Sequence, residues 1–259
     1  MNRIFSLVLL ISAVGLLSGA AVAGTMPAGW ACTGNCGTLG ADGVVTLGPS
    51  GNPYEYISTY GGPTGVGQYP GIGGTNGSLL TTATFSALAN DPLKFYFNFV
   101  TSDGAGYADY AWVALVDAGT SSSLLLFTAR TTPGGNTVPG FGLPPVAPGV
   151  TLIPATVTIT AGGPVWSPLG SYSGTCYNTG CGYTGWVEST YTIGSSGNYY
   201  LQFGVSNWLD QIYDTGLSID NVTVHGVPIP GETPEPGTLI MFGSGILGLA
   251  GMLRRKLMR

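Results

Sequence analysis

Carboxylate side chains supply the clearest chemistry in this sequence. They lie in a loop after a predicted strand at 93–101, and in and after a second loop that follows a predicted strand at 199–206. The oxygen donors are Asp103, Asp109, Asp210, Asp214, Asp220 and Asn221. Calcium binds six to eight oxygen ligands, many of them from loops, so this set predicts a structural calcium ion. Aspartate is also common in turns for conformational reasons alone, and that alternative stays open.

The same carboxyl groups offer the main route to a catalytic site. A glycoside hydrolase needs two carboxyl groups that flank a bound sugar. Asp103 with Asp109, or Asp210 with Asp214, are candidate pairs, although nothing in their spacing requires that role. The single histidine, His225, lies at the end of the last predicted strand, and no G-x-S-x-G motif occurs. We therefore predict a protein that is not an enzyme and has no catalytic residues.

Aromatic side chains give a further candidate site, a platform for sugar rings. A tyrosine or tryptophan ring packs on the apolar C–H face of a sugar while its OH or NH group hydrogen-bonds. The candidates are Tyr54, Tyr56, Tyr60, Tyr69, Tyr107 and Trp112, with Tyr54, Tyr56, Tyr107 and Trp112 as the central set. Aromatic residues are also ordinary strand formers, which is the simpler explanation of the same pattern.

Short strands must position all of these residues. In segment 93–101, Leu93, Phe95, Phe97 and Phe99 alternate with polar or amphipathic residues, which is the period of a half-buried antiparallel strand. The predicted strands are 44–47, 54–59, 79–86, 93–101, 111–116, 124–129, 151–159, 186–193, 199–206 and 217–224. About ten such strands, separated by turns rich in Gly, Pro and Asn, predict an all-β fold, an antiparallel β-sandwich of the jelly-roll type.

The N-terminus predicts export. Residues 1–23 combine a positive start, an apolar run and the small-x-small site Ala21-Val22-Ala23, which is the pattern of a signal peptide cut before Gly24. The chain has 12 acidic and 7 basic residues. Most of the basic residues lie at the two ends, so the region between them is strongly acidic. Such a surface repels phosphate groups and excludes nucleic acid as a partner.

The four cysteines form two close pairs, Cys32 with Cys36 and Cys176 with Cys181. Four cysteines allow three pairings. Local disulfides are favoured because each pair flanks a Gly/Asn-containing turn that can bring its Cα atoms within bonding range. A zinc site built from all four thiolates is the alternative, although an oxidising compartment favours disulfides.

The C-terminal tail has three ordered parts. The predicted ectodomain, 24–226, is followed by a proline-rich spacer, 227–236, that contains Pro234-Glu235-Pro236. Residues 237–253 carry no charge, and as a helix they would extend about 26 Å, close to the roughly 30 Å of a hydrocarbon core. The basic residues that follow stay on the cytoplasmic side of a membrane. They are Arg254, Arg255, Lys256 and Arg259. The segment 237–259 therefore predicts a transmembrane helix with a basic stop.

This tail resembles the PEP-CTERM sorting signal of Gram-negative bacteria. The resemblance implies that an exosortase-type membrane peptidase removes the tail after signal peptidase and the export machinery have acted. It also implies an inner-membrane-anchored precursor, then a cell-surface or extracellular protein in an organism that makes exopolysaccharide. The stretches "FVTSDGAGYADYAW" and "FGVSNWLDQIYDTGLSIDNVTV" resemble the sandwich domains that often precede such tails.

These observations favour one function and leave two alternatives open. We expect an exported, non-enzymatic surface or matrix protein that is sorted by an exosortase and associated with exopolysaccharide. The first alternative is a carbohydrate-binding module with a structural calcium ion. The second is a glycan hydrolase.

Overall fold

The computed structural model of the chain describes residues 26–230, which form two packed β-sheets. A short 3₁₀ segment, Ser167–Tyr172, interrupts the strands. The strands are β1 (Ala31–Thr33), β2 (Asn35–Leu39), β3 (Tyr54–Ser58), β4 (Gly77–Thr81), β5 (Phe85–Ala87), β6 (Pro92–Thr101), β7 (Tyr110–Asp117), β8 (Ser123–Arg130), β9 (Thr151–Ile153), β10 (Thr160–Ala161), β11 (Gly182–Tyr183), β12 (Val187–Thr192), β13 (Gly197–Ser206), β14 (Thr215–Val224) and β15 (Val227–Pro228).

Every strand pair in the two sheets is antiparallel. The first sheet has the order β1-β4-β13-β7-β8, with β5 beside β13. The second has the order β10-β11-β6-β14-β3-β2, with β12 on β6, β9 on β12 and β15 on β14. The chain passes between the sheets seven times, at β1–β2, β3–β4, β5–β6, β6–β7, β8–β9, β12–β13 and β13–β14, as in a jelly-roll-like sandwich. The predicted fold class is confirmed.

Alternating residues of the central strands build the core between the sheets. Phe95, Phe97 and Phe99 of β6 are buried on one side, and Leu201 and Phe203 of β13 are buried on the other. The rings of Phe95 and Phe203 meet edge to face, with their centroids 5.9 Å apart. Each large apolar side chain removed from water in this way contributes about 1.5–3 kcal/mol, so these facing rows hold the sheets together.

Loops cover the outer face of each sheet as well. On the second sheet, Trp166 and Leu169 pack over Tyr54, and Trp166 Nε1 donates a hydrogen bond to Tyr54 Oη at 3.0 Å. On the first sheet, the ring of Tyr69 lies against Trp112 with 5.4 Å between centroids. The central strands β3 and β7 are therefore covered on both faces, and β7 is buried along almost its whole length instead of alternating.

Some predicted strands are corrected by the structure. Segment 44–47 is not a strand. Segment 79–86 is divided into β4 and β5, and the strand predicted at 151–159 ends early as β9. Pro154, which follows β9, has no N–H group with which to continue a ladder. Strands β1 and β2 were not predicted, because their Cys, Gly, Asn and Thr residues show no apolar alternation.

Both predicted disulfides are present. Cys32–Cys36 has a Cα–Cα distance of 6.2 Å, and Cys176–Cys181 has one of 5.7 Å. The first bond joins β1, an edge strand of the first sheet, to β2, an edge strand of the second sheet. It therefore links the two sheets covalently at their edges, in addition to restricting the loop between the two cysteines.

The sandwich extends further toward the C-terminus than the predicted boundary at residue 226. Strand β15 pairs with β14, and Ile229 is buried in the core. Trp30 Nε1 donates to the carbonyl oxygen of Pro230 at 3.1 Å. Pro228 is accommodated because β15 is an edge strand, where a missing N–H group costs little. The start of the predicted spacer 227–236 therefore belongs to the folded domain.

The predicted signal peptide 1–23, the Pro-Glu-Pro motif and the predicted transmembrane segment lie outside the described residues. Between residues 26 and 230, no helix has the length and apolar character required to cross a membrane.

Candidate functional site

Three loops meet at one end of the sandwich. One follows β6, one follows β13, and the third is the long segment 162–181. The backbone N–H and the hydroxyl of Ser102 both donate to the carbonyl oxygen of Asp214, at 3.0 and 2.9 Å. The N–H of Tyr177 donates to the carbonyl oxygen of Ser102 at 2.9 Å. These bonds hold the two aspartate-bearing loops side by side, as the calcium prediction requires.

Four aspartates at this end, Asp103, Asp109, Asp210 and Asp214, form what we call the acidic cluster. All except Asp210 are buried. Burial, with a smaller contribution from the charge of Asp210, raises the pKa of Asp103 to about 7 and that of Asp214 to about 6. Burial also raises the pKa of Asp109 well above the usual range for aspartate, and the neighbouring charge of Asp103 adds to this. The carboxyl groups therefore resist carrying charge together.

A chain of threonine hydroxyls leads to Asp109. Thr215 Oγ1 donates to Asp109 Oδ2 at 2.7 Å, and Trp208 N donates to Oδ1 at 2.7 Å. The hydroxyls of Thr101 and Thr215 are 2.7 Å apart. A hydroxyl group can donate one hydrogen bond, and the hydroxyl of Thr215 already donates to Asp109. The hydroxyl of Thr101 is therefore the donor to Thr215. These donors favour the charged form of Asp109 and oppose part of the effect of burial.

Two buried oxygens of this region have no hydrogen-bond partner: Asp103 Oδ2 and Asn207 Oδ1. Asp103 Oδ1 accepts from Gly104 N at 2.7 Å, so only the second oxygen is left over. Asn207 Nδ2 donates to Asn76 Oδ1 at 3.2 Å, which fixes the amide orientation in this network. A buried acceptor without a partner is costly, and a proton or a cation would relieve the cost at this position.

Asp220 and Asn221 do not join the acidic cluster. Asp220 lies on β14 five residues beyond Thr215, which corresponds to about 17 Å along an extended strand. Its carboxylate accepts hydrogen bonds from the N–H and the hydroxyl of Ser50, at 2.8 and 2.6 Å. One calcium ion therefore cannot contact all six predicted ligands, and Asp103, Asp109 and Asp214 remain the candidates, with Asp210 beside them.

The cluster fits a calcium ion only with the help of uncharged oxygens. Within residues 26–230, no group of three or more His, Cys, Asp or Glu side chains is arranged to hold a metal ion. Calcium also accepts amide and carbonyl oxygens as ligands. Asn207 Oδ1 is such an oxygen and is available, so calcium binding stays a prediction.

We expect millimolar calcium to raise the Tm of the mature protein at pH 8 by several degrees relative to a chelator. An ion that binds only the folded state stabilises it by mass action, and pH 8 lies above the pKa values of Asp103 and Asp214. The measurement is thermal unfolding followed by circular dichroism. Asp103→Asn should abolish the shift, whereas the matched variant Asp220→Asn should keep it. Equal Tm values in calcium and chelator would mean that protons, and not calcium, neutralise the carboxyl groups of the acidic cluster.

The predicted aromatic platform is not formed. Tyr54 and Trp112 are buried in separate clusters on opposite sheets. Trp112 Nε1 donates to the carbonyl oxygen of Gly67 at 2.8 Å, inside the covering loop. Tyr56 is half-buried against Trp166. Of the central set, Tyr107 alone lies beside the acidic cluster. The alternation of the strands did not reveal that loops cover their outer faces.

A different aromatic group occupies the end of the sandwich. Tyr107, Tyr177, Tyr213 and Tyr172, which we call the tyrosine row, contact one another in this order. Their successive ring centroids are 5.4, 5.1 and 4.8 Å apart. Sequence reasoning missed three of the four, because they come from two distant loops without regular spacing. The position of Tyr177 inside the Cys176–Cys181 loop was the one available signal.

The remaining catalytic candidates are poorly placed for hydrolysis. Asp103, Asp109 and Asp214 are buried, so neither candidate pair offers two accessible carboxyl groups to a sugar. His225 lies in a turn, with its side chain 76% exposed and Nδ1 3.4 Å from Asp91 Oδ1. It is far from the acidic cluster along the sheet, at the opposite end of β14.

Comparison with known proteins identifies one segment. Residues 232–256 match the PEP-CTERM protein-sorting motif. No curated protein matches the sequence. Among solved structures, the chain is similar to two cleaved adhesin domains of Lys-gingipain from Porphyromonas gingivalis W83. The K3 domain is 12% identical with a TM-score of 0.36, covering 79% of this chain and 99% of that one. The K1 domain is 13% identical with a TM-score of 0.34, covering 79% and 100%.

Proposed function

We propose, because residues 232–256 form a PEP-CTERM sorting motif, that this chain is an exported, non-enzymatic protein of the Gram-negative cell surface or extracellular matrix. An exosortase-type membrane peptidase is its processing partner, and exopolysaccharide is the material with which it associates. One observation carries this function: the ordered tail, in which Pro234-Glu235-Pro236 is followed by an uncharged stretch and a basic end.

The tail gives the precursor a defined orientation. The signal peptide starts export, and the uncharged stretch 237–253 stops it in the membrane. Arg254, Arg255 and Lys256 then stay on the cytoplasmic side, because positive charge next to a span is retained there. The sandwich is left on the outer side of the inner membrane, with the Pro-Glu-Pro motif between it and the lipid.

The end of the sandwich supports cleavage of a folded substrate. The domain continues to Pro230, and residues 231–236 can span at most about 20 Å when fully extended. A membrane peptidase can therefore reach the motif without opening the core. Cleavage after the motif leaves Ile229 and β15 in place.

The composition of the domain supports an extracellular location. Two disulfides close short loops, and disulfides persist mainly in oxidising compartments. The whole chain has a net charge of −5 even with its basic tail included. Burial of Asp103, Asp109 and Asp214 supports a non-enzymatic role over the glycan hydrolase alternative, because a hydrolase needs both carboxyl groups of a pair at the substrate.

We expect the mature protein of the native host to begin at Gly24 and to end near Pro236. Signal peptidase removes the first 23 residues, and the exosortase-type peptidase removes the segment from about Gly237 onward. The measurement is the intact mass of the protein recovered from the cell surface or medium. A surface form that still ends at Arg259 would show that the tail serves as an anchor alone.

A further inference from the structure

The tyrosine row lies on the surface at the loop end of the sandwich. Tyr177 is 44% exposed, and Tyr107, Tyr172 and Tyr213 are each partly exposed. None of the four hydroxyl groups forms a hydrogen bond with another residue of the described part of the chain. The row therefore combines an accessible apolar ring surface with free donors and acceptors. Such amphipathic rings are the usual contact residues of binding surfaces.

The row is held rigidly by its supports. Tyr177 lies inside the loop closed by the Cys176–Cys181 disulfide, and its N–H is bonded to the loop after β6. Tyr213 has a φ of 57° and Leu209 in the same loop has a φ of 74°. Residues other than glycine rarely adopt this conformation, and it concentrates at sites of ligand contact. A preorganised surface loses less entropy when it binds.

The charges around the row determine which ligands it can accept. Asp214 is adjacent to Tyr213 in the chain. Burial raises the pKa of Tyr172, and the negative charges of Asp214 and Asp210 also raise it. Among residues 26–230 the basic side chains are Lys94, which pairs with Glu188, and Arg130, which is buried. Arg130 donates to backbone carbonyl oxygens instead of facing outward. Within residues 26–230, a ligand with phosphate or carboxylate groups would find no free Lys or Arg side chain beside the row.

A neutral sugar chain satisfies these conditions. Its C–H faces can pack on successive rings, and its hydroxyls can bond to the tyrosine hydroxyls and to the half-exposed carboxylate of Asp210. An organic cation is the main competitor, because aromatic rings also bind cations. Cation-binding cages enclose the ligand between several rings, whereas these four contact one another in a chain. We infer that the tyrosine row is the surface through which the mature protein binds a neutral polysaccharide.

This inference rests on the proposed function, since it names the part of the domain that would contact exopolysaccharide. It also narrows the class of ligand, because an acidic polysaccharide is excluded. The proposed export function and the proposed glycan binding can fail separately. Tail processing is read from the mass of the protein, and glycan binding is read from the purified mature form.

The experiment is retention of the mature protein, purified from the host, on immobilised polysaccharide. The probes are the neutral and acidic fractions of the host's own exopolysaccharide, with dextran and cellulose as further neutral polymers and alginate as an acidic one. We expect retention on at least one neutral probe and none on the acidic ones. Tyr177→Ala and Tyr213→Ala should each weaken retention at least tenfold. Tyr200→Ala, on the outer side of β13, should leave it unchanged.

Other outcomes would overturn the inference. These are retention on the acidic probes alone, no retention on any neutral probe, or equal retention of wild type and both tyrosine variants. Competition by millimolar tetramethylammonium would assign the row to organic cations instead. Unfolding curves of all three variants show whether a loss of retention reflects a loss of fold. A correctly processed tail with no glycan retention would reject the tyrosine row and keep the export function.

Discussion

Replacement of Glu235 by alanine is expected to leave the protein as an uncleaved precursor in the membrane fraction. Glu235 lies between two prolines and is the last charged residue before the uncharged stretch. A peptidase that recognises this motif through the glutamate would lose its ionic contact with the substrate. The sandwich should fold normally, because Glu235 is not one of the residues 26–230 that build the two described sheets. The measurement is the intact mass and the membrane partition of the variant in the native host.

The chain provides a matched control for this experiment. Glu232 lies three residues earlier and carries the same charge, but it is outside the Pro-Glu-Pro motif. Glu232→Ala should therefore be processed like the wild type. Processing of the Glu235 variant at the normal rate would mean that the peptidase does not recognise this glutamate. Equal failure of both variants would mean that the peptidase requires the negative charge of the whole region.

A second large effect is expected from pH. In a chelator, the mature protein should lose stability as the pH rises from about 4 to 7. The folded state raises the pKa of Asp103 from 3.8 to about 7 and that of Asp214 to about 6, mainly through burial. Between pH 4 and 7 the folded state therefore holds more protons than the unfolded state, and stability falls with rising pH across this window.

The size of this effect can be bounded. One pKa unit corresponds to about 1.4 kcal/mol, so Asp103 alone accounts for roughly 4 kcal/mol at most. For a domain of this size that is on the order of 10 °C in Tm. Asp103→Asn should remove much of the pH dependence, raising the Tm at pH 8 and changing it much less at pH 4.

Asp117 is the control for the pH experiment. Its pKa is lowered by hydrogen bonds from the N–H groups of Thr120 and Gly119, so its contribution has the opposite sign and is lost as the pH falls. Asp117→Asn should leave the decline between about pH 4 and 7 in place. A Tm that stays constant or rises over this range would contradict the assigned state of the acidic cluster.

The sequence contains enough information for the strands and little for what covers them. The alternation in segment 93–101 correctly placed Phe95, Phe97 and Phe99 in the core, because a period of two depends only on the strand itself. The disulfides were equally predictable, since each is closed by a few neighbouring residues. Tyr54 follows the same strand rules, yet Trp166 covers it from more than a hundred residues away. No local sequence pattern predicts such a contact.

The tyrosine row illustrates the same limit at the candidate site. Its members lie between residues 107 and 213, and they meet because three loops leave the same end of two sheets. Alternation predicts which residues of a strand share a face, but it does not predict which loops become neighbours. The acidic cluster was partly predictable for a simple reason: its aspartates lie close to the ends of four strands, after β6 and β13 and before β7 and β14.

The hydrogen bond between Trp30 and Pro230 has a consequence for how the protein matures. It joins the first part of the described domain to its last residue, so both ends of the sandwich lie side by side. On the proposed export route, a chain that is tethered to the membrane by its leader and by its tail can therefore complete the whole domain before either end is cut. Neither of the two proposed cleavages would then require the sandwich to open, and either could occur first.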